Sequence, residues 1–131
     1  MNGRINVSSG SPWEDVVGYS RAVCINNIIE LSGTTAVDGS TIIGLNDMYL
    51  QTQYILKKLK ETLEQCGGEL NDVVRTRMYV TDISKWEDAA KAHLEFFADV
   101  KPASTMVEVS RLIRPDLLIE IEMSAIIQGD R

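Results

Sequence analysis

The strongest constraint on the fold is the alternation of apolar and polar residues between Leu118 and Ile127. A period of two predicts a strand, because successive side chains point to opposite faces of a pleated sheet. The apolar face consists of Ile119, Ile121, Met123 and Ala125. The other face carries Glu120, Glu122 and Ser124. Because a carboxylate buried without partners is costly, we expect the polar face to border water, a ligand or a neighbouring subunit.

A second run of strand-forming residues lies between Ser104 and Arg111. The same period places Thr105, Val107 and Val109 on one face, and Ser104, Met106, Glu108 and Ser110 on the other. The connecting segment, Ile113–Asp116, contains Pro115, which has no N–H to donate and cannot continue a strand ladder. We therefore look for function along this pair of strands.

The rest of the chain alternates between strand and helix periods. Further strands are predicted at Arg4–Ser8, Tyr19–Ile25, Ile28–Thr35 and Asn71–Asp82. A long helix is predicted over Leu45–Cys66, and a second helix begins at the capping box Ser84–Glu87. The order β-β-β-α-β-α-β-β predicts one α+β domain over residues 1–131. Its mixed sheet should carry both helices on one face.

Local features add narrower expectations. Gly33 interrupts the third strand and predicts a β-bulge or a close approach by backbone or ligand. The glycine and proline of Ser8–Pro12 predict a turn, and Asn26-Asn27 predicts a tight hairpin. We expect Leu45 on the buried stripe of the long helix and Val74 on the core face of its strand.

Composition limits the partners. A net charge of −6 argues against nucleic-acid binding, which needs clustered lysine and arginine, and the nearest basic patch is only Arg75 and Arg77 beside Tyr79. No apolar run approaches the roughly 20 residues that span a bilayer, and no secretory signal opens the chain. We expect a cytoplasmic protein without membrane association, in which Cys24 and Cys66 are reduced and buried.

Most chemical motifs are missing from the sequence. It has no metal-ligand spacing, no Gly-x-Ser-x-Gly elbow and no glycine-rich phosphate loop. The single histidine, His93, falls on a helical apolar stripe, where we expect a packed and hydrogen-bonded residue. Glu120 and Glu122 remain, either as an exposed or interface carboxylate pair or as a source of one general acid or base.

The C-terminal motifs resemble the signature of the RidA/YjgF family, also labelled endoribonuclease L-PSP. They read Pro102-Ala103, then Val107-Glu108-Val109-Ser110-Arg111-Leu112, then Leu118-Ile119-Glu120-Ile121-Glu122. Gly18-Tyr19-Ser20-Arg21-Ala22-Val23 is similar to the family's Gly-Pro-Tyr-x-Gln-Ala-Val segment, and Ser32-Gly33 to its Ser-Gly. The resemblance covers nearly the whole chain.

This resemblance implies a chorismate-mutase-like fold and a homotrimer that binds a small molecule in clefts between subunits. Active members hydrolyse reactive enamines and imines to carbonyl compounds and ammonia, without a cofactor of their own. Tyr19, Ser32, Gly33 and Glu120 match family site positions, and Glu120 aligns with the acid that positions or activates water.

The chain departs from the family at the Pro-Ala-Arg-Ser motif, which here reads Pro102-Ala103-Ser104-Thr105. Ser104 therefore replaces the arginine that grips a substrate carboxylate. A hydroxyl does not reproduce a bidentate guanidinium contact. Met106 stands where cysteine is common, and Ala90 where asparagine is common.

Two arginines could supply the missing cation. Arg21 replaces the family glutamine two residues after Tyr19, and we take it as a candidate for binding the anionic group. Arg77 is another candidate. The alternative for Arg21 is a surface or interface salt bridge.

Two functions remain open. One is hydrolytic deamination of an enamine or imine, with Glu120 as the catalytic residue and Tyr19, Arg21, Ser32, Gly33, Ser104, Thr105 and Met106 around the substrate. The other is a non-catalytic or regulatory trimer that binds a small metabolite, which Ser104 favours. The net charge and the lack of a paired histidine or lysine argue against a ribonuclease.

Overall fold

Six strands form one mixed sheet in the computed structural model, which describes residues 3–129. The strands of the chain are β1 Arg4–Val7, β2 Ala22–Ile25, β3 Ile28–Thr34, β4 Val37–Asp38, β5 Thr41–Ile42, β6 Val73–Val80, β7 Ala103–Glu108 and β8 Ile119–Ile126. The helices are α1 Pro12–Val17, α2 Met48–Gln65 and α3 Trp86–Phe97. The large sheet has the order β1-β2-β3-β8-β6-β7, in which only β6 and β7 run parallel, while β4 and β5 form a separate hairpin.

The alternation in β8 places that strand at the centre of the molecule. Its apolar residues Ile119, Ile121, Met123 and Ala125 are at most 1% exposed. The two long helices contact each other, and α2 also contacts β3 and β8. The polar residues of β8 lie on the opposite face, as the period of two requires. The expected α+β class and mixed sheet are confirmed.

Helix α2 begins at Met48, three residues later than predicted. The side chain of Asp47 accepts a hydrogen bond from the backbone N–H of Leu50 at 3.0 Å, which satisfies a donor that the first turn leaves unpaired. Gly67 follows the helix with a φ of 85°, a conformation that glycine adopts without strain. Leu45 precedes the cap and is 59% exposed, so its expected burial is wrong.

Helix α1 was not expected from the sequence. Ser11, within the turn predicted at Ser8–Pro12, caps it by accepting a hydrogen bond from the backbone N–H of Trp13. Glu14 is 5% exposed and accepts hydrogen bonds from Ser8 and Ser9. Six residues are too few for a helical period to stand out, so only the cap residue and the proline were visible signals.

Two local predictions are wrong. A register shift between Val73 and Arg75 breaks the alternation of β6, so Val73 is buried and Val74 is 38% exposed. The capping box at Ser84–Glu87 is replaced by a short 3₁₀ turn, in which Asp82 accepts hydrogen bonds from Ser84.

Within residues 3–129, none of the helices has the length and apolar character needed to cross a bilayer.

Candidate active site

A cavity of about 1070 Å³ opens on the polar face of the sheet, beside Glu120. Residues on its wall include Tyr19, Arg21, Ser32, Gly33, Lys58, Glu120 and Glu122. The cavity therefore brings together five of the sequence-predicted site residues, namely Tyr19, Arg21, Ser32, Gly33 and Glu120. No group of three or more potential metal ligands comes together within the described residues.

Gly33 makes room for the Glu120 carboxylate. The pairing of β3 with β8 changes register between Leu31 and Thr34, so the predicted bulge is present. A Cβ atom built on Gly33 would overlap Oε2 of Glu120. The missing side chain of Gly33 thus lets the carboxylate lie against the backbone of β3 at the cavity wall.

The two carboxylates of β8 differ in their surroundings. Tyr79 donates a hydrogen bond to Oε1 of Glu122 at 2.9 Å, and Arg77 forms an ion pair with Oε2 at 3.4 Å. Glu120 is partly buried, and within residues 3–129 no hydrogen-bond donor contacts its carboxylate. Burial raises the pKa of Glu120, the positive charge of Arg21 lowers it, and the negative charge of Glu122 raises it further, with a net increase. A carboxylate with free lone pairs and a raised pKa is suited to accept a proton from water.

Arg21 supports the backbone around this carboxylate. Its Nη2 donates a hydrogen bond to the carbonyl oxygen of Gly33 at 2.7 Å, and its guanidinium carbon lies 5.7 Å from the centre of the Tyr19 ring. Its buried Nε has no partner among the described residues. The hydroxyl of Ser32 donates a hydrogen bond to the carbonyl oxygen of Ser20 at 2.6 Å. This bond ties β3, at the residue before Gly33, to the segment that precedes β2.

Lys58 is a cavity residue that the sequence did not reveal. Its Nζ reaches from α2 to the carbonyl oxygens of Thr35 and Val37, at 3.2 and 2.9 Å. Burial and the neighbouring charge of Arg21 lower the pKa of Lys58. Its position in a predicted helix gave no indication that the loop after β3 folds back over it.

The remaining predicted residues lie elsewhere in the chain. Ser104 and Met106 line a second cavity of about 530 Å³ together with His93 and Lys101. The hydroxyl of Thr105 accepts a hydrogen bond from Arg75. A single chain therefore does not bring Ser104, Thr105 and Met106 to Glu120.

His93 is packed and hydrogen-bonded, as the sequence predicts. Its Nε2 lies 2.9 Å from the hydroxyl of Thr76, and its ring lies 4.7 Å from that of Phe97.

Both cysteines are free, and burial together with contact with Cys24 raises the pKa of Cys66 to about 12. The Cys66 thiol is therefore protonated at neutral pH and is a poor nucleophile.

This fold and this arrangement define an α+β protein of the chorismate-mutase-like class, with a carboxylate exposed to a cavity on the polar face of the sheet. The profile of the family described as Endoribonuclease L-PSP matches residues 11–127. A solved structure from Mycobacterium tuberculosis, of a member of the YjgF/YER057c/UK114 family, is similar with a TM-score of 0.88. It is 44% identical over 95% of this chain and 100% of its own.

Two curated relatives agree with that match. A RutC family protein of Pyrococcus abyssi is 37% identical over 82% of this chain and 84% of its own length. The 3-aminoacrylate deaminase RutC of Acinetobacter baylyi is 30% identical over 92% of this chain and 95% of its own. The chain belongs to the RidA/YjgF family.

Proposed function

We propose that this protein hydrolyses a reactive enamine or imine to a carbonyl compound and ammonia. The observation that carries the proposal is the Glu120 carboxylate, which is partly buried, free of hydrogen-bond donors among the described residues, and held against Gly33 at a cavity wall. The name of the Acinetobacter baylyi relative supports this reaction class, because 3-aminoacrylate is itself an enamine.

Glu120 can serve both halves of such a hydrolysis. As the oxygen of water bonds to the C=N carbon, Glu120 takes a proton from that water. The π electron pair moves to nitrogen, which takes a proton from solvent. In the resulting carbinolamine, the oxygen lone pair then forms C=O as the C–N bond breaks. Glu120 returns its proton to the departing nitrogen and the hydroxyl proton passes to solvent, so ammonia leaves and the carboxylate is regenerated. An enamine enters this sequence as its imine tautomer.

We further propose a cytoplasmic homotrimer in which the cleft between subunits completes the site. The family resemblance supports this assembly, and so does the distribution of residues in one chain, where Ser104 and Met106 lie in a different cavity from Glu120. A neighbouring copy could supply the missing wall. The free thiols of Cys24 and Cys66 suit a reducing cytoplasm.

Binding without turnover is the second candidate, and the replacement of the family arginine by Ser104 favours it. A carboxylate held by one hydroxyl is oriented less firmly than one held by a guanidinium fork. Such a protein would keep the cavity and its ligand but lose the geometry that attack on C=N requires.

The direct test generates 2-iminobutanoate in situ with a threonine dehydratase, and separately generates 3-aminoacrylate, and follows the decay of each. Wild type should accelerate the decay of at least one compound. Glu120→Gln should abolish the acceleration, whereas Glu122→Gln, a matched change two residues along the same strand face, should retain most of it. Gain of activity in Ser104→Arg alone would indicate a preserved scaffold with altered specificity. If wild type, Glu120→Gln and Ser104→Arg all leave both decay rates unchanged, the deaminase assignment fails for these substrates, and binding becomes the better account.

A further inference from the structure

Three large apolar side chains line the cavity beside Glu120 and are themselves exposed to solvent. They are Trp13 and Val17 of α1 and Ile113 of the loop before β8, and each of them is more than half exposed. We call these three side chains the mouth patch. An exposed apolar patch beside an opening is typical of a binding surface. The proposed role of Glu120 does not use the mouth patch, so the patch needs an explanation of its own.

The hydrogen bonds of α1 hold Trp13 in a fixed position at the cavity. The carboxylate of Glu14, the next residue, is buried and accepts hydrogen bonds from two serines that precede the helix. The carbonyl oxygen of Glu14 accepts two more, from the N–H groups of Gly18 and Tyr19 at 2.8 and 3.0 Å. These bonds tie α1 to the segment that carries Tyr19. A contact that is ordered before a ligand arrives loses less entropy when the ligand binds.

Ile113 is also held at the cavity by its neighbour along the chain. Nη1 of Arg114 donates a hydrogen bond to the carbonyl oxygen of Ser40, between β4 and β5, at 3.2 Å. Nη2 of Arg114 forms an ion pair with Asp116 at 3.4 Å. The two contacts tie the loop before β8 to the β4–β5 hairpin, so Ile113 lies at the cavity wall with its side chain uncovered.

Trp13 differs from the other aromatic residues of this cavity in having an unstacked ring. The described residues that line the wall include three aromatic ones, namely Trp13, Tyr19 and Tyr54. The guanidinium of Arg21 lies 5.7 Å from the centre of the Tyr19 ring. Nζ of Lys58 lies 5.4 Å from the centre of the Tyr54 ring. Within residues 3–129, neither a ring nor a cation stacks on the indole of Trp13, so its face is available to a ring of a ligand.

The size of the cavity and the loss of the family arginine also favour a large apolar ligand. A volume of about 1070 Å³ exceeds what a small imine such as 2-iminobutanoate would fill. Ser104 cannot grip a carboxylate as a guanidinium fork does. Burial of an apolar ring supplies affinity that does not depend on charge.

We propose that the mouth patch binds the aromatic side chain of the substrate, with the ring stacked on Trp13 and the C=N group directed to Glu120. The protein then selects imines that carry a large aromatic substituent. The reaction in this proposal rests on the proposed function, whereas binding of the ring requires no turnover.

The binding test compares two neutral amides, 3-phenylpropanamide and propanamide, in NMR titrations of the full-length protein. The phenyl compound should bind about thirtyfold more tightly, because its ring is removed from water, and it should shift the amide signals of Trp13 and Val17. Trp13→Ala should remove about tenfold of this affinity, and Trp13→Phe, which keeps a ring, should retain most of it. Trp86→Ala is the matched control: Trp86 is also about half exposed but lies on α3 outside this cavity, so the affinity should not change.

The turnover test compares the imines that an L-amino-acid oxidase forms from phenylalanine and from 2-aminobutanoate. Trp13→Ala should raise KM for the phenylalanine-derived imine about tenfold and leave kcat nearly unchanged, because the ring lies away from the bond that reacts. The same variant should hydrolyse 2-iminobutanoate as wild type does.

Three results would overturn the role of the mouth patch. One is equal affinity for the two amides, and another is tight binding of 3-phenylpropanamide that survives Trp13→Ala. The third is a lower molar mass of Trp13→Ala, but not of Trp86→Ala, in sedimentation equilibrium, because the indole would then pack against another copy of the chain. Stacking of the phenyl compound on Trp13 in a protein without deaminase activity would support the mouth patch and refute the proposed function, so the two fail separately.

Discussion

Replacing Gly33 by alanine places one methyl group where the Glu120 carboxylate now lies. The nearest atoms to the new Cβ are Oε2, Cδ and Cγ of Glu120, which form the end of a flexible side chain. The carboxylate can therefore rotate away while the backbone of β3 stays in place. We expect the free energy of unfolding to fall by only about 1 kcal/mol, the order of cost of a strained side-chain torsion.

The same displacement should be far more costly for catalysis. Misplacing a catalytic group by about 1 Å can cost roughly 100-fold in rate, which corresponds to about 2.7 kcal/mol at 1.36 kcal/mol per tenfold. We expect kcat/KM of Gly33→Ala for imine hydrolysis to fall by about this factor. The pKa of Glu120, followed by ¹³C NMR of its carboxyl carbon, should fall towards that of an exposed glutamate, because the group leaves its partly buried position.

Gly67→Ala is the matched control. Gly67 has a φ of 85° and no atom within 4 Å of a built Cβ, so alanine should cost about 1 kcal/mol through backbone strain alone. Urea unfolding should therefore show similar losses for the two variants, and only Gly33→Ala should lose activity and shift the Glu120 pKa. If Gly33→Ala keeps wild-type kcat/KM and the Glu120 pKa unchanged, Gly33 is not what holds the carboxylate in place.

Three further predictions follow from single contacts. As pH falls through the raised pKa of Glu120, activity should be lost at a higher pH than an ordinary glutamate would give. Arg21→Ala removes the charge that lowers this pKa, so it should move the acid limb of the kcat/KM profile to still higher pH. An unmoved limb would rule out Glu120 as the titrating base. Gln51→Leu should lower the free energy of unfolding, measured in urea, by about 3 kcal/mol, because Gln51 is fully buried and hydrogen-bonded to three backbone groups. Gln53→Leu, on the exposed face of α2, should change the free energy of unfolding little. Equal effects of the two substitutions would contradict this account. Burial opposes ionisation of Glu14, but hydrogen bonds from two serines and the charge of Arg21 outweigh burial and lower the pKa of Glu14. Glu14 therefore contributes stability that is present above an unfolded-state pKa near 4.5 and is lost as pH falls through the lower folded-state pKa. Glu14→Gln should flatten the pH dependence of the free energy of unfolding in urea below pH 5, and an unchanged slope would refute this account.

Glu120 and Glu122 show how neighbours on one strand acquire different roles. They share a face of β8, but the pairing of β8 with β6 sets Arg77 opposite Glu122 and Tyr79 opposite Glu120. The phenol of Tyr79 reaches diagonally to Glu122, so both donors serve one carboxylate and the other is left for the cavity. Periodicity could identify the acidic face, but it could not choose between the two acids.

The sequence alone determined the elements whose pattern is long and regular. Ten alternating residues predicted β8 and its buried face, and the period over Leu45–Cys66 predicted α2 to within three residues at its start. The bulge at Gly33 was also predictable, because an isolated glycine in a strand is a local signal. The family motifs then pointed to Tyr19, Ser32, Gly33 and Glu120, which the fold does bring to one cavity.

Only the tertiary structure decided which side chains meet. Lys58 reaches the cavity because the chain after β3 folds back over α2, and Ser104 is joined to His93 through Thr76 because β7 pairs in parallel with β6 beneath α3. A local pattern specifies the period of one segment, but it carries neither the register between strands nor the direction from which a distant segment returns. Those are set by bulges, turns and packing over the whole domain, which is why the acidic strand was predictable and its surroundings were not.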